Sequence, residues 1–171
     1  MKSYASQTYL KNIEKYIYYQ YSTDNMHIVI KKILKTEPFI INEDGIDLKV
    51  LDDNYYLMEI IPMNKNYICR IHLDANKKII ERYYILSLKN EFINNIPVFN
   101  NLKTAYVICD FQRKKYNEEN IEKLLESGYL NNEEYKKIKT DFLLLIDEIN
   151  NEKNEIFNMD YKNIIETIER V

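Results

Sequence analysis

The two cysteines and two histidines of this sequence are the residues best suited to nucleophilic, redox or metal chemistry. Cys69 and Cys109 each stand alone in an apolar stretch, and neither belongs to a CxxC pair. A lone cysteine among apolar residues is more typical of a buried free thiol than of a disulfide, a metal ligand or a nucleophile. We therefore expect both cysteines to be buried free thiols.

The two histidines lie far apart in the sequence and alternate with other polar residues. His27 has the same strand phase as Lys31, and His72 has the same phase as Arg70. The polar phase of a half-buried strand faces water, so we expect two solvated imidazoles and neither a base nor a ligand. The sequence also lacks a Gly-rich phosphate loop, an HExxH motif and a nucleophile elbow.

Length and composition indicate one soluble globular domain. The chain has 171 residues, of which 46% are hydrophobic and 30% charged, with a net charge of -3. We expect a single domain over residues 1–171. No apolar run approaches the roughly 20 residues that span a bilayer, and the first residues lack the apolar core of a signal peptide. We therefore expect a cytoplasmic protein with no membrane partner.

Alternating apolar residues predict antiparallel strands over the first two thirds of the chain. Met26, Ile28 and Ile30 share one phase, and Asp44-Gly45 provides a tight turn between two apolar runs. Further strand-like runs extend over 55–63, 66–74 and 77–88, and 104–116 can form a last hairpin. About seven or eight strands with short connections predict a closed or nearly closed β-barrel over about residues 12–116.

The sequence after about residue 117 is helical, up to about residue 170. We expect Asn117 to cap a first helix that ends at Gly128, and Asn131 with Glu134 to form a capping box for a second. A third amphipathic segment begins near Tyr161. The second helix carries an apolar stripe at Tyr135, Ile138, Phe142, Leu145 and Ile149. The fold class that we predict is therefore mainly β with C-terminal α, an antiparallel β-barrel followed by two or three helices.

Five stretches in the same order carry a family resemblance between about Ile33 and Ile149. They are "KKILKTEPFII", "DLKVLDDNYYLMEIIP", "NYICRIHLDANKKIIERYYI", "NIPVFNNLKTAYVI" and "KYNEENIEKLLESGYLNNEEY". On these stretches the sequence resembles the clostridial-type members of the FomD-like barrel family. The resemblance implies an antiparallel barrel with C-terminal helices. It also implies hydrolysis of nucleotide phosphoanhydrides, or of a nucleotide-linked phosphonate, with a divalent cation.

Most of the acids that hold the cation in this family have changed here. The resemblance draws those ligands from motifs like DI, DDLYLDI and LDEDE. The family's acidic positions that are lost fall on Ile85, Asn100, Asn101, Ala105, Asn117 and Asn120. An asparagine can ligate through its carbonyl oxygen but brings no charge, and the side chains of Ile85 and Ala105 can ligate nothing.

A few donors survive near the altered positions, and the resemblance makes them the candidate site. The catalytic candidates are Glu81, Tyr83 and Glu119. The ligand-binding candidates are Asn100, Asn101 and Lys103. With so few carboxylates we expect no metal; if one is present, its ligands would be Asn101, Asn117, Glu118 and Glu119.

Three functions follow as hypotheses. The first is a non-catalytic or weakly active FomD-like barrel that binds a nucleotide or phosphorylated small molecule, or a protein partner, with no cofactor. The alternative is a nucleoside di- or triphosphate phosphatase that uses Mg²⁺ or Mn²⁺. The third is a nucleic-acid-binding barrel, supported by Lys31, Lys32, Lys35 and the run 113–115. The net negative charge argues against the third, so nucleic acid is not the partner that we expect.

Overall fold

The computed structural model describes residues 2–4, 12–94 and 96–170, and within them ten strands and three helices. The strands are β1 (Lys2–Tyr4), β2 (Ile13–Ser22), β3 (Met26–Thr36), β4 (Phe39–Glu43), β5 (Ile46–Leu51), β6 (Tyr56–Pro62), β7 (Tyr67–Leu73), β8 (Ile79–Ile93), β9 (Ile96–Cys109) and β10 (Gln112–Tyr116). The helices are α1 (Asn120–Glu126), α2 (Asn132–Asn150) and α3 (Tyr161–Glu169).

Eight of the strands form one antiparallel sheet in the order β1-β9-β8-β7-β6-β3-β2, with β10 also paired to β9. The predicted fold class, mainly antiparallel β with helices at the C-terminus, is confirmed. The sheet is not closed among the described strands, however, because β1 and β2 lie at opposite ends of the strand order and do not pair with each other. The word barrel therefore describes this strongly curved sheet only loosely.

Irregular pairing between the two longest strands bends the sheet. The β8–β9 register shifts between Ile85 and Ser87, and again between Ser87 and Asn90. Lys103, on the β9 side, has a φ of 57° in the left-handed region. Bulges of this kind increase the local twist and bend a strand, which lets one long hairpin serve two parts of a curved sheet.

The hairpin β4–β5 forms where the sequence predicts it, but it stands apart from the main sheet. Its turn residues Asp44 and Gly45 have φ values of 51° and 87°, as a two-residue hairpin turn requires. The Asn42 side chain accepts a hydrogen bond from the Gly45 N–H at 3.0 Å. The hairpin contacts β7, β8 and β10 instead of extending the sheet.

The helices cover one face of the sheet, which we call the helix face. It carries the even-numbered residues of β3, β6, β8 and β9 and the odd-numbered residues of β7. The predicted stripe of α2 is buried against it through Ile138, Phe142, Leu145 and Ile149, with Tyr135 partly buried. The opposite face, which we call the inner face, carries a second apolar cluster. Its members are Val29, Ile61, Ile68, Ile85, Phe99, Ala105 and Val107.

The helix ends agree with the sequence, with one exception. The capping box of Asn131 and Glu134 is present at the start of α2. Gly128 follows the C-cap of α1 and has a φ of 73°. The prediction that Asn117 caps α1 is wrong, because Glu119 occupies that position. Asn117 has a φ of 52°, and its Nδ2 donates to the carbonyl oxygen of Lys103 at 2.8 Å. It therefore joins the end of β10 to β9 and does not cap the helix.

Burial confirms the prediction for the cysteines and contradicts the one for the histidines. Cys69 and Cys109 are free and buried. His27 and His72 are also buried, with only 7% and 0% of their surface exposed. Alternation along a strand shows on which face a residue lies, but not whether that face is exposed. In the folded chain both faces of these central strands are covered. Within the described residues, no helix is long and apolar enough to cross a membrane.

Candidate functional site

Two cross-strand rows of the inner face concentrate the buried polar side chains of this protein. Neighbouring residues in each row are directly opposite one another on adjacent strands. The first row is Tyr18, Lys31, Leu57, His72, Glu81, Cys109 and Gln112. The second row is Gln20, Val29, Glu59, Arg70, Tyr83, Val107 and Lys114. Residues such as Lys31, Glu59, His72 and Glu81 thus share one interior layer, in which they are almost completely buried.

Two pairs of buried ionisable side chains in this layer join neighbouring strands. Glu59 Oε1 accepts hydrogen bonds from Arg70 Nε at 3.0 Å and from Arg70 Nη2 at 2.7 Å. Glu81 Oε1 lies 2.8 Å from His72 Nδ1. Charges can be buried in this way only when partners are close, because desolvation of an isolated ion is very costly. The buried polar side chains of this layer are therefore stabilised by one another.

Lys31 adds a second basic side chain beside Arg70 to this layer. Burial lowers the pKa of its ammonium group to about 8, with Glu59 opposing the shift and Arg70 reinforcing it. Its Nζ lies 4.8 Å from the centroid of the Tyr16 ring. A lysine with this lowered pKa changes charge close to physiological pH, which an exposed lysine does not.

The hairpin β4–β5 covers one end of the two polar rows. Glu43 accepts a hydrogen bond from Gln112 Nε2 at 3.2 Å and forms an ion pair with Lys114 Nζ. Gln112 and Lys114 are the last members of the first and second rows. The hairpin therefore closes the β10 side of the layer through its own carboxylate.

The positions that the family resemblance makes acidic lie beside this layer but carry no ligand cluster. Ile85 and Ala105 are directly paired, are 6% and 4% exposed, and belong to the inner apolar cluster. Together they form a hydrophobic contact where the resemblance implies two carboxylates. Neither side chain can bind a cation, and each contributes to the apolar packing of the inner face.

Three asparagines near this pair have their side chains bound to the backbone. Asn101 Oδ1 accepts from the Lys103 N–H at 2.7 Å. Asn117 Nδ2 donates to the Lys103 carbonyl at 2.8 Å, and Asn120 Nδ2 donates to the Leu102 carbonyl at 2.7 Å. These bonds hold the irregular segment of β9 and the start of α1 together. The three amide groups therefore stabilise the fold at positions where the family resemblance implies metal ligands.

Two of the three catalytic candidates, Glu81 and Tyr83, are neighbours on the inner face of β8, and the third, Glu119, lies at the start of α1. Glu81 lies four residues along β8 from Ile85, or about 13 Å at strand spacing, and is paired with His72. Tyr83 lies between them on the inner face, half-buried against the apolar cluster. Glu119 is exposed at the start of α1, with Lys123 at 4.0 Å.

The ligand-binding candidates are also divided between the two faces. Asn100 lines a cleft on the helix face together with Lys137 and Ile138 of α2. Asn101 is directly opposite Ser87 of β8. Lys103 is exposed, and its own backbone is in the left-handed region. Only Asn101 and Lys103 are therefore adjacent, and they flank the Ile85–Ala105 contact.

The donor set does not fit a divalent cation. Within the described part of the chain, no three His, Cys, Asp or Glu side chains are grouped closely enough to hold one. Of the four ligands named for a metal, Asn101 and Asn117 are bound to the Lys103 backbone, and Glu118 is 2.9 Å from Lys115. Mg²⁺ and Mn²⁺ need several hard oxygen ligands around one point, and these residues do not supply them.

The basic residues that supported nucleic-acid binding do not form a continuous stripe. Lys31 is buried in the interior layer. The other lysines are paired with carboxylates, in the pairs Lys32–Glu169, Lys35–Glu14, Lys114–Glu43 and Lys115–Glu118. Paired charges spread over several elements contribute little to the attraction of a phosphate backbone.

Sequence reasoning missed the central members of the layer, Glu59 and Arg70. The signal that could have indicated them is the composition of β6 and β7. Both strands are apolar in both phases, which is typical of strands covered on both sides. A lone Glu59 inside such a strand, opposite the polar phase of Arg70 and His72, indicates a buried pair and not a solvated face.

The fold resembles two solved structures that contain nucleotides or nucleotide analogues. One is FomD in complex with CDP, with a TM-score of 0.59 and 12% identity over 82% of this chain and 78% of that one. The other is the phosphatase SC4828 with the non-hydrolysable nucleotide GPCP, with a TM-score of 0.59 and 8% identity over 87% of each chain. No known family profile and no curated protein sequence matches this chain. The fold is thus FomD-like, and the likeness extends to the fold alone.

Proposed function

We propose that this protein binds a nucleotide or another phosphorylated small molecule without hydrolysing it through a bound cation. The contact between Ile85 and Ala105 supports the proposal, because it puts two buried apolar side chains where the family resemblance implies carboxylates that hold a cation. The nucleotides seen with the two structures of similar fold suggest the class of ligand. A protein partner is the other use of a non-catalytic barrel.

The ligand would contact the accessible rim of the inner face. Lys103 is exposed on this rim and supplies a positive charge beside Asn101. Tyr83 and Tyr116 offer aromatic surface on the same face, with Tyr83 half-buried and Tyr116 exposed. A cationic side chain and aromatic rings suit the phosphate and the base of a nucleotide without a metal.

Binding and hydrolysis can be measured separately. We expect titration calorimetry with CDP and GDP in the presence of a chelator to show binding, and Lys103→Ala to weaken it about tenfold. Lys136→Ala, which removes an exposed lysine from α2, is the matched control and should leave the affinity unchanged. Equal affinities for both variants would reject the rim as the binding site.

The alternative, a phosphatase of altered site, is favoured by one observation, the fold shared with SC4828. A phosphate-release screen over nucleoside di- and triphosphates with Mg²⁺, Mn²⁺ and Co²⁺ decides between the two. We expect no release above that of a protein-free blank. Release that is abolished by chelator and by Glu119→Gln would overturn the proposal and support the phosphatase.

A further inference from the structure

A cleft of about 600 Å³ opens on the helix face, where the ends of β8, β9 and β10 meet the segment between α2 and α3. Its walls include Arg82, Arg113, Phe157, Lys78 and Asp110. Arg82 and Ile108 face the helices, so this part of the cleft lies on the opposite side of the sheet from the inner polar layer. The cleft also reaches Cys109 and Gln112, the last two residues of the first polar row, at the ends of the strands. Its volume is within the range of small-molecule sites.

Strand register brings two arginines into this cleft. Ile108 of β9 is directly opposite Arg82 of β8 on one side and Arg113 of β10 on the other. Adjacent strands are about 4.8 Å apart, so the two arginines start about 10 Å from each other on the same face. Their side chains then converge. The guanidinium carbons lie 4.8 Å and 5.5 Å from the centroid of the Phe157 ring.

The two guanidinium groups that converge on Phe157 have no acidic partners among the described residues. Among the residues that the structure describes, neither guanidinium forms an ion pair with a carboxylate. Arg82 Nε is buried without a hydrogen-bond partner within the described part of the chain, and the guanidinium carbon also lies 5.4 Å from the centroid of the Tyr161 ring. Arg113 Nη1 donates to Asn150 Oδ1 at 3.0 Å. Two like charges drawn to one aromatic ring repel each other unless an anion joins them.

The other charges of the cleft cancel. Lys78 Nζ lies 3.2 Å from Asp110 Oδ2 at the exposed rim. The two arginines therefore leave a net charge of about +2 in the cleft. This charge would balance the charge of about −2 that a phosphate monoester carries near neutral pH. Guanidinium groups are also suited to phosphate oxygens, because their N–H donors form a planar fork.

The rim of the cleft adds an apolar surface. Phe111, in the β9–β10 turn, lines the cleft and is 42% exposed. An exposed ring beside a cationic pair is suited to a flat group attached to the phosphate. We propose that this cleft is a binding site for a phosphate monoester that carries a flat ring, with Arg82 and Arg113 holding the phosphate and Phe111 contacting the ring.

Phenyl phosphate, inorganic phosphate and phenol are suitable probes, because together they separate the contributions of the phosphate and the ring. In NMR titrations of the full chain we expect phenyl phosphate to shift the backbone amides of Arg82, Arg113 and Phe157. Inorganic phosphate should bind at the same amides with at least tenfold lower affinity, and phenol should not bind. Phe111→Ala should reduce the affinity for phenyl phosphate to that for inorganic phosphate.

Charge-removing variants test the arginines. Arg113→Met should weaken phenyl phosphate at least tenfold, and Arg170→Met, which removes an exposed arginine at the end of α3, should change its affinity less than twofold. Arg82→Met should act like Arg113→Met; if it fails to fold, Arg113→Met decides, because Arg113 is exposed.

Either of two results would overturn the assignment. One is an unchanged affinity in Arg113→Met, and the other is the absence of shifts at the cleft. Shifts confined to the rim around Lys103 would support the proposed function and reject this second site, so the two proposals fail separately.

Discussion

The Arg70 guanidinium donates two hydrogen bonds to a single oxygen of Glu59, from Nε at 3.0 Å and from Nη2 at 2.7 Å. Glu59 is completely buried, and the pair joins two central strands, β6 and β7. Removing one member of a buried pair leaves the other charge unsolvated, which costs more than the pair itself contributes. This pair is therefore a sensitive test of the interior layer.

We expect Arg70→Leu to lower the free energy of unfolding by about 3–5 kcal/mol, since it leaves Glu59 buried without its main partner. The double variant Glu59→Leu/Arg70→Leu should recover most of that loss, because no buried charge of the pair then remains. Urea denaturation at pH 7 measures both. Additive losses in the double variant would show that the two residues are not coupled.

Lys31 should make stability depend on pH. Its pKa is about 8 in the folded protein against an ordinary value of 10.5, so the unfolded chain binds more protons between these values. The cost of burying the charge is fully present below about pH 8 and is lost as the pH rises towards 10.5. The wild type should therefore gain about 2–3 kcal/mol relative to Lys31→Met between pH 7.5 and pH 10.

Chemical denaturation of both proteins across this range checks the prediction for Lys31. The ionisation of the tyrosines that do not contact Lys31 is common to both proteins and cancels in the difference. A difference in unfolding free energy that does not change with pH would mean that Lys31 is solvated.

Phe142 lies at the centre of the buried stripe of α2, and only 2% of its surface is exposed. Phe142→Ala should lower the free energy of unfolding by about 3–5 kcal/mol, because it removes buried surface and leaves a cavity. Leu143→Ala on the exposed side of the same helix, where Leu143 is 58% exposed, is the matched control and should cost about 0.5 kcal/mol or less. Similar losses for both variants would mean that α2 does not dock through this stripe.

The positions at which the family resemblance implies acids should respond differently to introduced aspartates. Ile85→Asp should cost at least as much as a buried Ile→Ala truncation, about 2–5 kcal/mol, because it adds a charge to the apolar cluster. Asn117→Asp should cost about 1 kcal/mol, since it loses the hydrogen bond to the Lys103 carbonyl near the surface. Thermal and urea unfolding measure both. A small loss for Ile85→Asp would show that water reaches this position and that a polar site can be rebuilt.

Local features of the fold could be predicted from the sequence because short-range chemistry decides them. The Asp44-Gly45 turn requires positive φ at two consecutive residues, and the capping box of Asn131 and Glu134 needs only one helical turn. Alternation and helical periodicity likewise identified most strands and the stripe of α2. The strand β2 was not predicted, because its exposed tyrosines do not alternate with polar residues.

The candidate site was predicted less well. Alternation correctly grouped His72 with Arg70, but it assigned their phase to water. Whether a strand face is exposed depends on what packs over it, and in this fold both faces of the central strands are covered. The same reason explains Asn117, whose partner is a carbonyl of β9 and not the helix that follows it.

What the sequence by itself determined is therefore the type and phase of most elements, together with the apolar residues Ile85 and Ala105 at positions where the family resemblance implies acids. The tertiary structure alone decided that Glu59 meets Arg70, and that Arg82 and Arg113 converge on Phe157. The contacts with Phe157 join residues more than 40 positions apart in the chain, and cross-strand register and helix docking determine them. Local propensities do not determine such contacts, because the contacts depend on how the whole sheet curves and on which element covers each face.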